Sequence, residues 1–389
     1  MKKYIALGLI TIVLVAGVVY FSRTTASPPV DPRLIEADND FAFRLFKEVA
    51  KKDGDRNIFI SPISIVLALQ MTYNGASGNT RDEIAKVLGI EDLTPNELNK
   101  ANGRLSSTLR HLGRKAKLDI AHSIWTGKAV KPSFQKVVGS SYSVEFGPLN
   151  AEAMNTWANK RTKGRIKSIV KQLDSNNPVV LLNAACFDAD WESKFEEKGT
   201  KFLPFTNGHG VWDEVPTMGQ SHEFACMEED GCKGIKIPYR GGRLSMYIFL
   251  PDHSLKEFID KMSIGDWYRW MTAFGEPREI GVYLPRFKFA YQDSLKAYLA
   301  ALGMSQAFDG EDFVNMVEGG GAWIGRMDHK TMVEVNEDGT KAAAVTPAIF
   351  ESGMDFTYFM VNRPFFFVIR DDKTGLILFM GSVVDPTKS

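Results

Sequence analysis

The sequence predicts an α+β protein with one large domain, and three observations support this prediction. Helical periodicity dominates the early part of the chain, whereas short apolar runs bounded by glycine, proline or aspartate dominate the later part. Helices and strands do not alternate regularly, so neither a Rossmann fold nor an alternating barrel is expected. The 389 residues are 44% hydrophobic, which is enough to fill a large core. We therefore expect large antiparallel or mixed sheets with helices.

The first elements are predicted from apolar spacing and flanking residues. Residues 34–51 carry apolar side chains at helical spacing. A short strand is then expected to end at a Ser-Pro break at Ser61, and a buried helix is expected over about 64–73. The next helix is expected to be capped by Thr80, with Glu83 three residues later completing a capping box.

The middle and the end of the chain are richer in strands. Residues 118–125 predict a central strand, 150–173 a helical segment, and the apolar run 179–187 another strand. Later strands are predicted in VPTMGQ, GIKIPY, RLSMYIFLP, EIGVYLPRFKFAY, FFFVIR and LILFMGSVV. A helix at about 293–302 interrupts this series.

The N-terminal residues 1–29 have the composition of a targeting segment and spacer. Two lysines precede an uncharged run at 4–21, and a small polar patch ends at Ala26. Cleavage after Ala26 would release the protein, whereas an uncleaved run would tether it to a membrane through residues 4–21. In either case we expect residues 30–389 to form a single domain outside the cytoplasm, either secreted or held at the cell envelope.

Charge and cysteine usage exclude several classes of protein. Lys plus Arg equals Asp plus Glu, at 47 each, so we expect no nucleic-acid partner. Three cysteines are too few for a disulfide framework, although Cys226 and Cys232 could pair across a hairpin, and Cys186 is typical of a small core residue. A basic cluster is explained either by a polyanion site or by a solvated helix face and turn; it comprises Arg110, His111, Arg114, Lys115 and Lys117.

The search for catalytic or metal-binding motifs finds none. Gly-x-Ser-x-Gly, a phosphate-binding glycine loop, His-Glu-x-x-His and Cys-x-x-Cys are all absent. The six histidines are scattered, so we expect no metal and no cofactor. From its local pattern His329 is typical of a core histidine, and Ser61 and Ser64 of hydroxyls at a helix start. An enzyme is therefore the weaker hypothesis.

A long connection separates the strand near residue 335 from the strand at 365–369. Connections of this length inside a compact domain tend to be functional. Read with strand periodicity, one side of its first part carries only small side chains, which could enter a gap between strands: Thr340, Ala342, Ala344, Thr346 and Ala348. The alternative is a surface loop with an alanine-rich helical turn.

The sequence resembles the serpin family across nearly all of residues 39–386. The resemblance rests on motifs in the proper order and spacing: NIFISPISIVLALQMTYNGASGNTRDEI, NTWANKRTKGRI, VVLLNAACFDADWESKF, HKTMVEVNEDGTKAAAVT and VNRPFFFVIRDDKTGLILFMGSVVDP. It implies the serpin fold, with about nine helices, three β-sheets and an exposed reactive-centre loop at about 337–361.

The resemblance also implies a serine-protease inhibitor rather than an enzyme. In this family the protease attacks the loop, an acyl-enzyme forms, and the cleaved loop inserts into the main sheet and distorts the protease. The native state is then metastable. We expect a monomer that forms a covalent complex with a serine protease or a cathepsin-like cysteine protease. The alternative is a non-inhibitory serpin that acts as a binding or chaperone-like module.

Site residues follow from the resemblance by position. The polar cluster called the shutter would comprise Ser61, Ser64, Asn183 and His329. The breach, where insertion begins, would contain Trp191. The hinge would comprise Glu337, Gly339, Thr340, Ala342, Ala343 and Ala344, and counting from Glu337 to Pro364 places the reactive bond at Gly353–Met354.

Two residues depart from the family's pattern, and the residues around the proposed reactive bond limit which classes of protease could be the target. Lys341 replaces a common glutamate on the exposed side of the strand, and Pro347 removes a hydrogen-bond donor from the inserting stretch. Gly353 favours proteases with shallow pockets, elastase-like or subtilisin-like. Phe350 and Met354 would instead suit chymotrypsin-like or cathepsin-like enzymes, and the absence of Lys and Arg between 342 and 362 argues against a trypsin-like one.

Overall fold

The fold is that of a computed structural model, which describes residues 31–110, 112, 116–173, 178–229, 231–340 and 358–389. The ten α-helices of these residues are α1 (Pro32–Asp53), α2 (Pro62–Tyr73), α3 (Gly78–Leu88), α4 (Pro95–Arg110), α5 (Pro132–Tyr142), α6 (Ala151–Arg161), α7 (Leu255–Lys261), α8 (Ile264–Ala273), α9 (Lys296–Ala301) and α10 (Gln306–Asp309). The strands are β1 (Ile58–Ile60), β2 (Ala116–Thr126), β3 (Val144–Gly147), β4 (Val179–Asp190), β5 (Lys201–Thr206), β6 (Trp212–Glu229), β7 (Cys232–Pro238), β8 (Leu244–Pro251), β9 (Arg278–Pro285), β10 (Phe287–Ser294), β11 (Ile324–Val335), β12 (Gly339–Thr340), β13 (Tyr358–Met360), β14 (Phe365–Asp371) and β15 (Ile377–Val383).

One sheet has six strands in the order β10-β11-β4-β2-β3, with the short β12 attached to β4. β4 pairs with β11 in parallel and with β2 antiparallel. The uninterrupted apolar sequence of β4 is explained by burial on both faces. On one face its side chains join the main core, and on the other they pack in a second cluster with Met154 and Trp157 of α6.

The other sheet has nine strands in the order β1-β15-β14-β8-β7-β6-β9-β13, with β5 attached to β6. The 18-residue β6 is shared by two parts of this sheet. Residues 212–224 of β6 pair with β5 and β9, and residues 225–229 pair with β7. Hydrogen bonding along β6 therefore joins two of the three expected sheets into one, within the α+β class that the sequence predicts.

The core is centred on α2, whose twelve residues are all buried. Its sequence is apolar on every side, which is typical of a helix surrounded by protein, and Pro62 occupies the first turn, where no donor is lost. Next to it, Phe59 of β1 stacks on Phe379 with 4.8 Å between ring centroids. α2 contacts both β15 and β4, so it connects the two sheets.

Two predicted helix boundaries are wrong for identifiable reasons. α3 begins at Gly78 with Ser77 as its N-cap, and Thr80 lies inside the helix. The Thr80 hydroxyl donates to the Asp312 carboxylate at 3.0 Å, and the Glu83 carboxylate accepts the Gln306 N–H at 2.8 Å. Both side chains of the predicted capping box therefore bond to residues that are distant in the sequence and not to the first turn of the helix.

The helical segment predicted over 150–173 ends at Arg161. Lys163 and Gly164 have positive φ values of 52° and 86°, which a helix cannot accommodate. The chain then crosses the six-stranded sheet as a strap, where the Ser168 carbonyl accepts from Lys330 and the Ile169 carbonyl from Gln292, both at 2.7 Å. The helix predicted at 293–302 is likewise shortened to α9.

The possible pairing of Cys226 with Cys232 across a hairpin does not occur in the structure. The thiols of Cys226 and Cys232 are not joined to each other, and Cys186 is buried in the core as its apolar surroundings suggest. In the β6–β7 ladder Cys226 lies opposite Ile235 and Cys232 opposite Glu229. The two cysteines are thus offset by about 10 Å of strand, beyond the reach of a disulfide. Burial raises the pKa of Cys226 to about 11 and that of Cys232 to about 12, which keeps both thiols protonated and unreactive.

Several predictions concern residues that are only partly described. The described helices are all too short or too polar to span a bilayer. The predicted targeting segment, residues 1–29, lies outside the described residues, as do His111, Arg114 and Lys115 of the basic cluster. Across the described ranges, no three His, Cys, Asp or Glu side chains form a group that could hold a metal ion.

Candidate functional site

The four residues of the predicted shutter meet beneath the β4–β11 pair. Ser61 and Ser64 lie at the start of α2, Asn183 lies on β4 and His329 on β11. Each is at most 1% exposed. Asn183 and His329 are directly opposite each other in the parallel ladder, so they mark the boundary between the two strands.

Hydrogen bonds connect these four residues into one network. The Asn183 amide nitrogen donates to the Ser64 carbonyl at 2.9 Å, and its Oδ1 lies 2.5 Å from Nδ1 of His329. The Ser61 N–H donates to Nε2 of His329 at 3.1 Å, and the Ser61 hydroxyl donates to the Leu378 carbonyl at 2.9 Å. Because Nε2 accepts a hydrogen bond, His329 is neutral, with its proton on Nδ1 facing Asn183.

His122 is a fifth member that the sequence analysis missed. It lies on β2 opposite Asn183, so His122, Asn183 and His329 form a row across three strands. Its Nε2 lies 2.9 Å from the Ser64 carbonyl. Burial, followed by the neighbouring His122, lowers the pKa of His329 to about 3, and burial also lowers the pKa of His122. The only signal in the sequence was a histidine within an apolar strand.

The β4–β11 ladder covers only part of the two strands. Its last pair is Cys186 with Met332. Beyond it β12 pairs antiparallel with β4, with Gly339 opposite Asp190 and Thr340 opposite Ala189. β2 already occupies the other edge of β4 at Ala189, so β12 lies on the β11 side. The first hinge residues therefore begin a strand at the open end of the β4–β11 pair.

Gly339 and Thr340 fit this position closely. Gly339 has φ +152°, and a Cβ atom there would lie 2.1 Å from the Ala189 carbonyl oxygen, so glycine is required. Thr340 is 1% exposed, and its hydroxyl lies 3.0 Å from the Tyr239 hydroxyl. A small polar residue thus fills the end of the gap without leaving an unpaired group.

Trp191, the predicted breach residue, supports the turn that leads into the hinge. Its side chain is fully buried and stacks on Tyr239 with 4.6 Å between ring centroids. The indole N–H donates to the Asn336 carbonyl at 2.9 Å, and the Trp191 backbone N–H donates to the Asp338 carbonyl at 2.8 Å.

Glu337 is held by two partners that sequence analysis did not identify. Its carboxylate accepts a hydrogen bond from Nε of Arg286 at 2.6 Å and another from the Thr200 hydroxyl. Glu337 is 5% exposed, so this carboxylate is buried but paired. The adjacent Asp338 forms an ion pair with Lys194 at 2.7 Å. The chain segment before the loop is therefore anchored firmly.

The remaining predicted site residues, Ala342, Ala343, Ala344, Gly353 and Met354, lie outside the described residues, as do Lys341, Pro347 and Phe350. The described chain resumes at Tyr358 in β13, which pairs in parallel with β9.

Comparison with known proteins agrees with this architecture. The family model described as serpin (serine protease inhibitor) matches residues 36–386. The leukocyte elastase inhibitor of Xenopus tropicalis is 32% identical, over 91% of this chain and 99% of that protein. Among solved structures, the native thermophilic serpin tengpin has a TM-score of 0.85 at 31% identity, covering 92% of this chain and 96% of its own. Human thyroxine-binding globulin, solved with its ligand, has a TM-score of 0.85 at 25% identity, covering 91% and 99%.

The chain therefore belongs to the serpin family, and the predicted fold class is confirmed. The family is described as serine protease inhibitors and the Xenopus relative is named as an elastase inhibitor, so neither name is that of an enzyme.

Proposed function

We propose that this protein is an extracytoplasmic serine-type endopeptidase inhibitor that traps its target when the cleaved loop inserts between β4 and β11. The observation that carries this proposal is β12, which already forms the first two pairs of such a strand. The proposed location rests on the composition of residues 1–29. An elastase-like, subtilisin-like or chymotrypsin-like target fits Gly353, Phe350 and Met354, and one relative is named as an elastase inhibitor.

The register of β12 supports insertion over the whole length of β4. If the pairs Gly339–Asp190 and Thr340–Ala189 are continued, Thr346 falls opposite Asn183 and Phe350 opposite Val179, the first residue of β4. Thr340 is buried, so its small neighbours at alternate positions would be buried too. Small side chains limit overpacking in the gap.

The shutter network then controls the separation of the strands. The inserting strand has to part Asn183 from His329, which are adjacent partners in the native ladder. Their buried hydrogen bonds oppose spontaneous separation, and a buried polar network of this kind is costly to leave half satisfied. In this proposal the network supports the metastable state, and Trp191 with the hinge residues marks where insertion starts.

The test is a panel of proteases mixed with the purified protein. We expect an SDS-stable complex with at least one protease of the elastase, subtilisin, chymotrypsin or cathepsin type, and mass spectrometry should show a released C-terminal fragment that starts at Met354. Clean cleavage by every protease, without a complex, would reject inhibition. A fragment with another first residue would reject only the assigned bond.

A non-inhibitory serpin is the second candidate, and Pro347 favours it. A proline in the inserting stretch weakens a central strand. Thyroxine-binding globulin, a structural neighbour at 25% identity, is named for binding a small molecule. The two candidates differ in whether the cleaved loop inserts, so they differ in the heat resistance of the cleaved protein.

A further inference from the structure

α1 and α2 are joined by a buried pair of polar side chains, Asp38 and Gln70. Asp38 is 3% exposed and Gln70 is fully buried. The Gln70 amide nitrogen donates to Oδ1 of Asp38 at 3.2 Å. The two other oxygens of the pair, Oδ2 of Asp38 and Oε1 of Gln70, are buried and have no hydrogen-bond partner among the described residues. Two unpaired oxygens within one bonded pair need an explanation, because buried polar groups nearly always have partners.

A single proton on Asp38 explains both unpaired oxygens. An ionised carboxylate and an amide oxygen only accept hydrogen bonds, so they cannot bond to each other. A protonated carboxyl group has one O–H donor. Oδ2 of Asp38 can then donate to Oε1 of Gln70 while Oδ1 continues to accept from the Gln70 nitrogen, so that two hydrogen bonds join the same two side chains.

The surroundings of Asp38 favour this protonated form. Burial, opposed only by the hydrogen bond from Gln70, raises the pKa of Asp38 well above its ordinary value, and no cation of the described chain offsets it. The titratable group that faces Asp38 is Tyr142 of α5. Its hydroxyl accepts from Asn102 at 3.0 Å and donates to Asn99 at 2.8 Å, both on α4. Burial first, and Asp38 as a smaller cause, raises the pKa of Tyr142, which is therefore neutral.

We propose that Asp38 holds a proton in the native protein and that Asp38 and Gln70 form a proton-dependent clasp between α1 and α2. α1 is fixed beside the clasp, because Oδ1 of the adjacent Asn39 accepts from the Ile377 N–H of β15 at 2.9 Å. α2 carries the shutter residue Ser64 in its first turn. The clasp thus holds the helix that carries the shutter against an anchored neighbour. This inference does not depend on the proposed inhibitory function.

The clasp weakens as the solution becomes more alkaline. In the folded protein the pKa of Asp38 lies above the ordinary value of about 3.9, so the unfolded chain releases this proton first as pH rises. The proton's contribution to stability is therefore complete below about pH 4 and is lost as pH rises through the raised pKa. His329, which is buried as a neutral ring, responds to pH with the opposite sign, so each group is isolated by comparing wild type with its own variant.

The first test looks for the proton directly, in the difference infrared spectrum of wild type and Asp38→Asn at about pH 6, where ordinary carboxyl groups are ionised. Asparagine keeps the shape of the side chain and offers Gln70 a permanent donor. We expect the carbonyl band of a protonated carboxyl group in wild type and its loss in Asp38→Asn. The control Asp40→Asn removes a carboxylate that is 41% exposed on the same helix and should keep the band. Spectra of wild type and Asp38→Asn without this difference would overturn the proposal.

The second test measures the unfolding equilibrium constant by urea denaturation at several pH values. The ratio of wild type to Asp38→Asn should rise by up to about tenfold per pH unit from about pH 4 to the raised pKa of Asp38. The ratio of wild type to Asp40→Asn should stay level above about pH 5. A level ratio for Asp38→Asn would show that Asp38 holds no proton at a raised pKa, and the proposal would fail.

A third variant tests the acceptor. Gln70→Met has a similar length but lacks the amide, so the carboxyl band should shift when the Asp38 proton loses its partner. A band of unchanged position in Gln70→Met would show that the proton is donated to another group, and the clasp between α1 and α2 would be rejected.

Discussion

Gly339 is the residue at which the hinge is most tightly constrained. A methyl group there would meet the Ala189 carbonyl and the Asp190 Cα at 2.1 and 2.6 Å, and the φ of +152° is also unfavourable for alanine. We expect Gly339→Ala to detach β12 from β4. Hydrogen exchange should then report lost protection near Ala189 and Thr340. Gly210→Ala is the control, because its φ of +75° is strained but nothing lies within 4 Å; equal effects of the two variants would contradict the steric argument.

Substitutions at Thr340 test whether insertion of the loop as a strand begins at this buried position. We expect Thr340→Arg to turn an inhibitor into a substrate, since a charge would have to enter a site that is now 1% exposed. Thr340→Ser keeps the hydroxyl contact with Tyr239 and should still inhibit. The measurement is the ratio of stable complex to cleaved protein on a denaturing gel. Inhibition by Thr340→Arg at the parent level would rule out insertion at this point.

His329 predicts a pH dependence of stability. Its pKa of about 3 in the folded protein lies below the ordinary value of about 6.5, because burial disfavours the charged ring. The neutral His329 ring therefore makes its full contribution to the free energy of unfolding above pH 6.5. This contribution is lost as pH falls from 6.5 towards 3, at up to about 1.4 kcal/mol per pH unit. Urea denaturation at several pH values should show this slope.

His329→Gln should flatten the slope, although its stability at pH 7 falls because the Asn183 contact changes. The exposed His209→Gln serves as control and should keep the slope. An unchanged slope in the His329 variant would assign the effect to other groups, of which His122 is the first to test.

At the scale of single residues, sequence alone revealed little of the site. The local pattern of His329 predicts only a core histidine, and the resemblance was needed to group it with Ser61, Ser64 and Asn183. His122, Arg286 and Tyr239 were missed, because they reach the site from parts of the chain that are distant in the sequence and have no shared motif.

At the scale of elements, the β12 register defines the effect of Pro347. The Trp191 N–H donates to the Asp338 carbonyl, so even-numbered residues of the extended strand direct their backbone groups towards β4 and odd-numbered ones towards β11. The missing N–H of Pro347 would then face β11 near Asp328, which pairs with Leu182 in the native ladder. The missing donor would leave about one backbone carbonyl of β11 without a hydrogen bond. We expect this to make insertion less favourable by roughly 1–3 kcal/mol.

Pro347→Ala should therefore speed insertion and increase the fraction of protease trapped over protein cleaved. The variant is compared with wild type by the stoichiometry of inhibition against the same protease. Ala348→Pro would instead place the defect on the β4 side and serves as a matched control with a lower trapped fraction. A trapped fraction that does not rise in Pro347→Ala would show that this proline does not limit insertion.

Element boundaries were predictable where local signals acted alone. The helix predicted over about 64–73 and the strand predicted over 179–187 are present as α2 and β4, each longer by two or three residues at one end. The predictions failed where distant partners competed, as Asp312 does for Thr80, and where positive φ values at Lys163 and Gly164 ended a helix whose apolar spacing continued.

At the scale of the molecule, insertion should change heat resistance. A native chain with a short β12 would become one with a full central strand, and we expect loop-cleaved protein to melt at least about 20 °C higher than the intact form, since ten or so further residues would join the sheet. Differential scanning calorimetry before and after limited proteolysis in the loop measures this. An unchanged melting temperature would favour the non-inhibitory candidate.

The class of the whole fold followed from the early helices and late strands. The sheet connections did not, because β4 and β11 are neighbours in space but more than a hundred residues apart in the chain. Local patterns hold no information on such a pairing. That β6 joins two parts of one sheet is likewise visible only in the structure.

The two pairs of β12 have a consequence for rate. Starting a new strand is the unfavourable step in building a ladder, because chain entropy is lost before many bonds form. Here two pairs already exist in the native state, so in the proposed mechanism the cleaved strand would only need to propagate, residue by residue, as β4 and β11 part. The speed of propagation, set by the ladder from Cys186 back to Val179, would then decide whether the bound protease is still acylated when the strand is complete.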